Sequence, residues 1–251
     1  MKKVYIFGDS ISEGIGSKKY SYCSIMQKKL EQYEIINCAK TGTTLKYMEE
    51  VLKEYSFEEE DIVFIYYGSV DSIIRPNVYN RDKTGLLKII PKRYFDNGML
   101  DPRAFYSRKW SRKICEKIES FCRYKIKLLL MKKYGTYQRL ELSDFKVIYT
   151  KILKKILLET KNVYLVTLGY IDEKFFPGSQ NQFEIYNEVI RYLAKENNCH
   201  IVELSKEVKK YSVELIYSKD HFHPHYAGYQ IIGKYFSNCI LANKKGVTDK
   251  K

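Results

Sequence analysis

The sequence predicts an α/β fold, a three-layer α/β/α sandwich built on a five-stranded parallel sheet and carrying one helical insertion. Three observations carry this expectation. Short β-rich runs alternate with helical patterns. The alternation breaks once, between residues 72 and 142, and then resumes. The length of 251 residues suits one domain of this kind with an insertion and is too short for two full domains.

Taken in order, the first strand is expected at Val4–Phe7, a helix over Tyr22–Gln32, a strand at Glu34–Asn37 and a helix over Leu45–Tyr55. Asp61–Tyr67 supplies the third strand. Beyond the interruption the rhythm returns with a helix over Phe145–Glu159, a strand at Asn162–Thr167, a helix over Gln182–Glu196, a strand at His200–Glu203 and a last helix over Tyr226–Leu241. Five strand–helix units of this kind form a parallel sheet covered on both faces, and ligands then bind beyond the carboxyl ends of the strands. The domain is expected to span 1–242, with 243–251 a flexible tail.

The interruption at 72–142 is read as a basic, aromatic-rich and mainly helical insertion. Between Arg75 and Leu140 there are 18 Lys and Arg against 5 Asp and Glu, so nearly all of the formal net charge of +14 belongs to this segment. Trp110, Ile114, Ile118, Phe121 and Cys122 recur at helical spacing, which predicts an amphipathic helix whose apolar face packs on its own domain. The alternative is a membrane-surface or partner-binding face, since basic amphipathic helices serve for both.

With 45% hydrophobic and 29% charged residues, the chain is neither disordered nor of membrane-span composition. Met1–Phe7 runs straight into Gly8-Asp9-Ser10, too short for a signal peptide, and no apolar run reaches the length of a transmembrane helix. Six scattered cysteines form no C-x-x-C pair, which suggests reduced thiols in a cytoplasm. A cytoplasmic location, with peripheral contact at the inner membrane surface, is the resulting expectation.

Two short motifs carry chemistry. Gly8-Asp9-Ser10-Ile11-Ser12-Glu13-Gly14 follows the first strand directly, placing Ser10 where a nucleophile is exposed and where backbone N–H groups favour an anion. Taken alone, a glycine and a serine after a strand mostly make a turn. Asp220-His221-Phe222-His223-Pro224 precedes the last helix, which Pro224 is expected to open. His223 is placed to take a proton from Ser10 while Asp220 fixes its tautomer, the division of labour that a serine nucleophile requires.

The chain order Ser, Asp, His does not fit a Gly-x-Ser-x-Gly elbow. It resembles the SGNH/GDSL hydrolases, whose first block matches Gly8-Asp9-Ser10-Ile11 and whose last matches Asp220-x-x-His223-Pro224. Asn37-Cys38-Ala39-Lys40-Thr41-Gly42 is similar to the block whose glycine gives an oxyanion-hole N–H. Gly68-Ser69-Val70-Asp71 stands where the family has Gly-x-Asn-Asp, so the usual asparagine donor is Val70 here.

The resemblance implies a flavodoxin-like fold, no cofactor, catalysis by Ser10, Asp220 and His223, and an oxyanion hole from Ser10 and Gly42. Asp9, Val70, Asp71 and Arg75 are expected to meet the substrate, although Asp71 and Ser69 also suit a turn-organising role. Arg75 or Asn77 is offered as the replacement donor. The Gly-x-Val-Asp form followed by Arg75-Pro76 is similar to a subgroup associated with bacterial surface-polysaccharide synthesis, pointing to a carbohydrate ester, most simply acetyl.

Three functions stay open: a carbohydrate esterase or O-acyltransferase, a silent polysaccharide-binding protein, and, ranked last, a basic nucleic-acid-binding module. The insertion is expected over or beside the site, as a lid, a substrate contact, or a contact with an anionic glycan or membrane surface. His221, His223 and His225 alternate, but no acidic or thiol cluster completes a ligand set, so no metal is expected.

Overall fold

The structure, a computed structural model, describes residues 1–15, 17, 20–77 and 100–248. Five parallel strands run in the order β2-β1-β3-β6-β7: β1 (Lys2–Gly8), β2 (Tyr33–Asn37), β3 (Ile62–Tyr66), β6 (Asn162–Val166) and β7 (His200–Val202). The register pairs Val4 with both Ile35 and Ile62, and Gly8 with Tyr66, so β1 lies at the centre of the first three strands. β3 is buried along its whole length, as a strand covered on both faces must be.

Helices supply the outer layers. α2 (Tyr22–Lys29) packs against the last helix, α10 (Tyr226–Thr248), while α3 (Leu45–Val51) packs against α6 (Leu142–Ile156), which meets α7 (Ser179–Glu196). Burial follows the helical period: Phe145, Ile148, Tyr149, Ile152 and Ile156 of α6 face inward, each such side chain contributing about 1.5–3 kcal/mol of hydrophobic stabilisation. Across the sheet Phe64 stacks on Tyr164, with ring centres 4.7 Å apart. α8 (Leu204–Val208) and α9 (Val213–Ile216) complete the connection to α10.

Two ends differ from expectation. The last helix continues through Thr248, past Ala242, and Asn243 Nδ2 donates to the Tyr164 hydroxyl at 3.0 Å, so the expected flexible tail is helical to that point. Pro224 does not open this helix. It bridges to Tyr217, and His225 stands before the first turn, its Nδ1 accepting from Ala227 N at 3.1 Å.

The insertion leaves the body through a two-stranded antiparallel ribbon, β4 (Arg75–Pro76) with β5 (Thr136–Tyr137). Within it lies the 25-residue helix α5 (Trp110–Tyr134), and residues 78–99, on which the mainly helical expectation also falls, lie outside the described residues. Among the described residues, nothing of the domain packs against most of the apolar stripe on α5. The helix buries Ser120, Lys127, Leu130 and Tyr134 instead, leaving Trp110, Ile118 and Phe121 exposed. The reason is visible in its partners, a strap at 101–107 tied down by polar groups, with only Leu100, Leu130 and Tyr134 forming a small apolar cluster.

Candidate active site

Ser10 opens α1 (Ser10–Glu13), a single turn separated from β1 by Asp9 alone. Gly8 permits this turn, because a Cβ there would lie 2.0 Å from Ser12 Oγ. Asp9 caps the turn, its Oδ1 accepting from Ile11 N at 3.0 Å. The second motif is bound to the first: Asn37 Nδ2 donates to Ser12 O at 3.0 Å, and Thr41 N donates to Glu13 Oε2 at 2.5 Å. Gly42 adopts φ of +73°, a left-handed conformation that glycine takes without strain.

Three side chains distant in sequence meet at the carboxyl edge of the sheet. Ser10 Oγ lies 2.9 Å from His223 Nε2, and His223 Nδ1 lies 2.7 Å from Asp220 Oδ2. Asp220 Oδ1 accepts from the amides of Phe222 and His223, both at 3.1 Å, so the carboxylate is held at both oxygens and is nearly fully buried. An ionised carboxylate only accepts hydrogen bonds, hence Nδ1 carries the imidazole proton and Nε2 is free to accept the one on Ser10. The geometry suits proton transfer from a serine hydroxyl and its later return to a leaving group.

A cavity of about 410 Å³ opens over this group, lined by Ser10, Gly42, Val70, Asp101, Arg139 and His223. Ile73, Phe176 and Phe222 give it an apolar wall. Arg75 also lines it, but its Nη1 donates to the carbonyls of Val70 and Ile73 at 3.0 and 3.1 Å, bracing α4 (Ser69–Ser72), the single turn after β3. Burial lowers the pKa of that guanidinium, with the negative charge of Asp101 opposing. Asn77, the other candidate donor, gives its backbone N–H to Gly135 O.

Asp9 and Asp71 do not line the cavity, a correction to their expected place beside the substrate. Both are fully buried, and Asp71 Oδ1 accepts from Leu45 N at 2.9 Å, at the start of α3. Burial raises Asp9 to about 6 and Asp71 to about 7, the amides of Ile11 and Leu45 pulling the other way. They organise the loops on which the cavity stands. The three alternating histidines likewise go separate ways: His221 pairs with Asp172 at 2.6 Å, His225 Nε2 donates to Glu214 O at 2.9 Å, and His223 faces Ser10.

Sequence reasoning missed Arg139. Its Nη1 donates to Gly42 O at 2.8 Å, beside the expected oxyanion position, and it has no carboxylate partner among the described residues. Its spacing in the chain carries no signal, because the tertiary return of the insertion through β5 is what brings it to the cavity. Asp101, Pro102 and Ala104 were missed for the same reason.

A serine, aspartate and histidine in this chain order, on this sheet, with the nucleophile two residues past the end of the first strand, have a match among known families. Residues 6–231 match the model of the GDSL-like Lipase/Acylhydrolase family. The chain belongs to that family. It is therefore an enzyme of the serine esterase class, acting on acyl esters.

Solved structures share the GDSL-type fold at low sequence identity. A lipase/acylhydrolase from Enterococcus faecalis superposes with a TM-score of 0.59 at 17% identity, covering 97% of each chain. A catalytic mutant of an acetylxylan esterase from Geobacillus stearothermophilus gives 0.60 at 16% identity, over 95% of this chain and 94% of that one. An alpha/beta hydrolase from the metagenome of Lake Arreo gives 0.58 at 14% identity, over 95% of both. No curated protein matches the sequence. Among the described residues, no helix is long and apolar enough to cross a membrane.

Proposed function

We propose that this GDSL-family protein is a carbohydrate-directed O-acyl esterase or acyltransferase that works through an acyl-enzyme on Ser10. The observation that carries the proposal is the continuous chain of hydrogen bonds from Ser10 through His223 to Asp220, opening into a cavity of about 410 Å³. In this reading His223 takes the Ser10 proton as Oγ attacks the ester carbonyl, then gives it to the departing alkoxide oxygen. Asp220 holds the ring and stabilises the imidazolium. The Ser10 and Gly42 amides receive the developing oxyanion. Water then releases the acid, or a sugar hydroxyl takes the acyl group.

Val70 offers no donor to that oxyanion, and losing one donor costs about 2.7–4 kcal/mol in a serine hydrolase. Arg139 is the group that fits the gap: a cation with donors to spare, pinned 2.8 Å from Gly42 O. A guanidinium without a carboxylate partner also favours esters that bear negative charge. Support for a sugar ester comes from the acetylxylan esterase neighbour and from the resemblance of Gly68-Ser69-Val70-Asp71 and Arg75-Pro76 to surface-polysaccharide proteins.

The second reading, a polysaccharide-binding protein without turnover, rests on Val70 alone. Hydrolysis of a chromogenic acetate ester separates the two. Turnover by the purified chain that vanishes in Ser10→Ala supports the enzyme reading, and saturable glycan binding with no turnover in either protein supports the second.

A further inference from the structure

We propose that the outward face of α5 docks on an anionic lipid bilayer. The helix divides its residues by side. Glu116, Ser120, Arg123, Lys127, Leu130 and Tyr134 fall within an arc of about 80° at 3.6 residues per turn. They form the inner face or its border: Lys127 Nζ meets Asp101 at 2.5 Å and Glu116 accepts from Ser107 N at 2.6 Å. Trp110, Ile114, Ile118, Phe121 and Leu129 fall within an arc of about 100° on the opposite side. There they are solvent-exposed, Trp110 by 77%, Phe121 by 61% and Leu129 by 64%.

Charge is divided in the same way. Both carboxylates of the helix are used internally, Glu116 by Arg112 and Ser107, Glu119 by Arg103 and Arg123. Lys113, Lys117, Lys125, Lys132 and Lys133 are exposed and have no carboxylate partner among the described residues. Apolar side chains bordered by and interspersed with lysines without a carboxylate partner among the described residues, along about 37 Å of helix, match the surface of an anionic membrane in both chemistry and shape. A second copy of the chain would set lysine rows against each other, and a nucleic acid would leave Trp110, Ile118 and Leu129 without a partner. The catalytic reading is not needed for this inference.

The sequence supplies its own probe, since Trp110 is the single tryptophan. The full chain is mixed with phosphatidylcholine vesicles, with and without phosphatidylglycerol, and read by tryptophan emission and co-sedimentation. The expected result is a blue shift and sedimentation with phosphatidylglycerol vesicles only, weakening as salt is raised. Removing one lysine from the surface lowers affinity about fivefold, so Lys113→Gln with Lys117→Gln lowers it at least about tenfold. Ile118→Ser with Phe121→Ser abolishes the blue shift. The far-UV circular dichroism spectrum and thermal midpoint stay unchanged in both pairs and report folding, and either pair alone carries the test if the other fails to fold. No shift with anionic vesicles at low salt, binding that survives both pairs, or a wild-type dimer that both pairs dissociate would overturn the proposal.

Discussion

At the carboxyl edge of the sheet, buried hydrogen bonds and an apolar core hold the functional groups, whereas the insertion is held by ion pairs and turns its apolar residues outward. Asp220 illustrates the first region, with both oxygens engaged and the sheet's core behind it. Lys127 illustrates the second. Its buried ammonium ties α5 to Asp101 on the cavity wall and lies 4.6 Å from the Phe176 ring centre, on a segment whose own apolar cluster has three buried members. The difference teaches how one chain separates chemistry from contact. The edge holds its groups through buried hydrogen bonds and core packing, and the insertion offers a surface because few of its described apolar side chains are buried.

The largest effect expected is on the chemical step. Ser10→Ala and His223→Ala should each lower acetate ester hydrolysis by on the order of 10⁴-fold or more, because the members act as a unit. Neither should alter vesicle binding. Near-full activity in either variant would place the nucleophile elsewhere, and loss of both properties would mean that the catalytic group also governs the outward face of α5.

Next in size is the tie between them. Lys127→Met leaves Asp101 without its cation and should destabilise the fold by about 3–5 kcal/mol, as breaking a buried pair does. A urea midpoint measures this. The Asp101–Ala104 wall should also loosen, raising KM more than it lowers kcat, and an unchanged midpoint would mean that the insertion is held by something other than its polar ties.

The buried carboxylates sharpen the edge's side of the comparison. Asp71 is raised by burial to about 7, far above its value of about 4 in an unfolded chain. Between those values the native state binds the proton more tightly, so this group's contribution to stability falls as pH rises from about 4 to 7. Asp71→Asn should therefore stabilise the protein relative to wild type by on the order of 2 kcal/mol more at pH 8 than at pH 5. Thermal midpoints at the two pH values check this, and a difference independent of pH would mean that Asp71 is ionised throughout.

Much of this edge was legible in sequence because it is local. Ser10 follows a strand directly, Asp220 and His223 are three residues apart, and alternating strand and helix patterns predict the sheet that joins them. Asp9 and Asp71 had the right neighbourhood and the wrong role, since sequence does not distinguish a carboxylate facing a cavity from one capping a loop beneath it. The α5 stripe is legible as one side of a helix while what lies against it is not, because periodicity reports which residues share a side and not what covers that side. Arg139 was invisible, its place being set by a ribbon of only two residues per strand, Arg75–Pro76 and Thr136–Tyr137.

The smallest effect expected is at Arg139, where insertion and edge meet. Arg139→Gln should lower kcat for a neutral acetate ester by about 10- to 100-fold, less than the roughly 100- to 1000-fold cost of losing one oxyanion donor outright, because glutamine keeps a shorter, neutral N–H donor. Val70→Asn should add little to the wild type and restore part of the loss in Arg139→Gln. If Val70→Asn alone raises turnover strongly, Arg139 does not fill the place of the missing donor.

The claim on which the rest depends is that His223 and Asp220 activate the Ser10 hydroxyl as a nucleophile, and covalent labelling tests it without knowledge of the substrate. The intact chain is treated with a fluorophosphonate, digested and read by peptide mass spectrometry. One adduct per chain on the peptide containing Ser10, absent in Ser10→Ala and strongly slowed in His223→Ala, is the predicted result. A folded wild-type protein that takes no label, or takes it at another residue, would contradict the account.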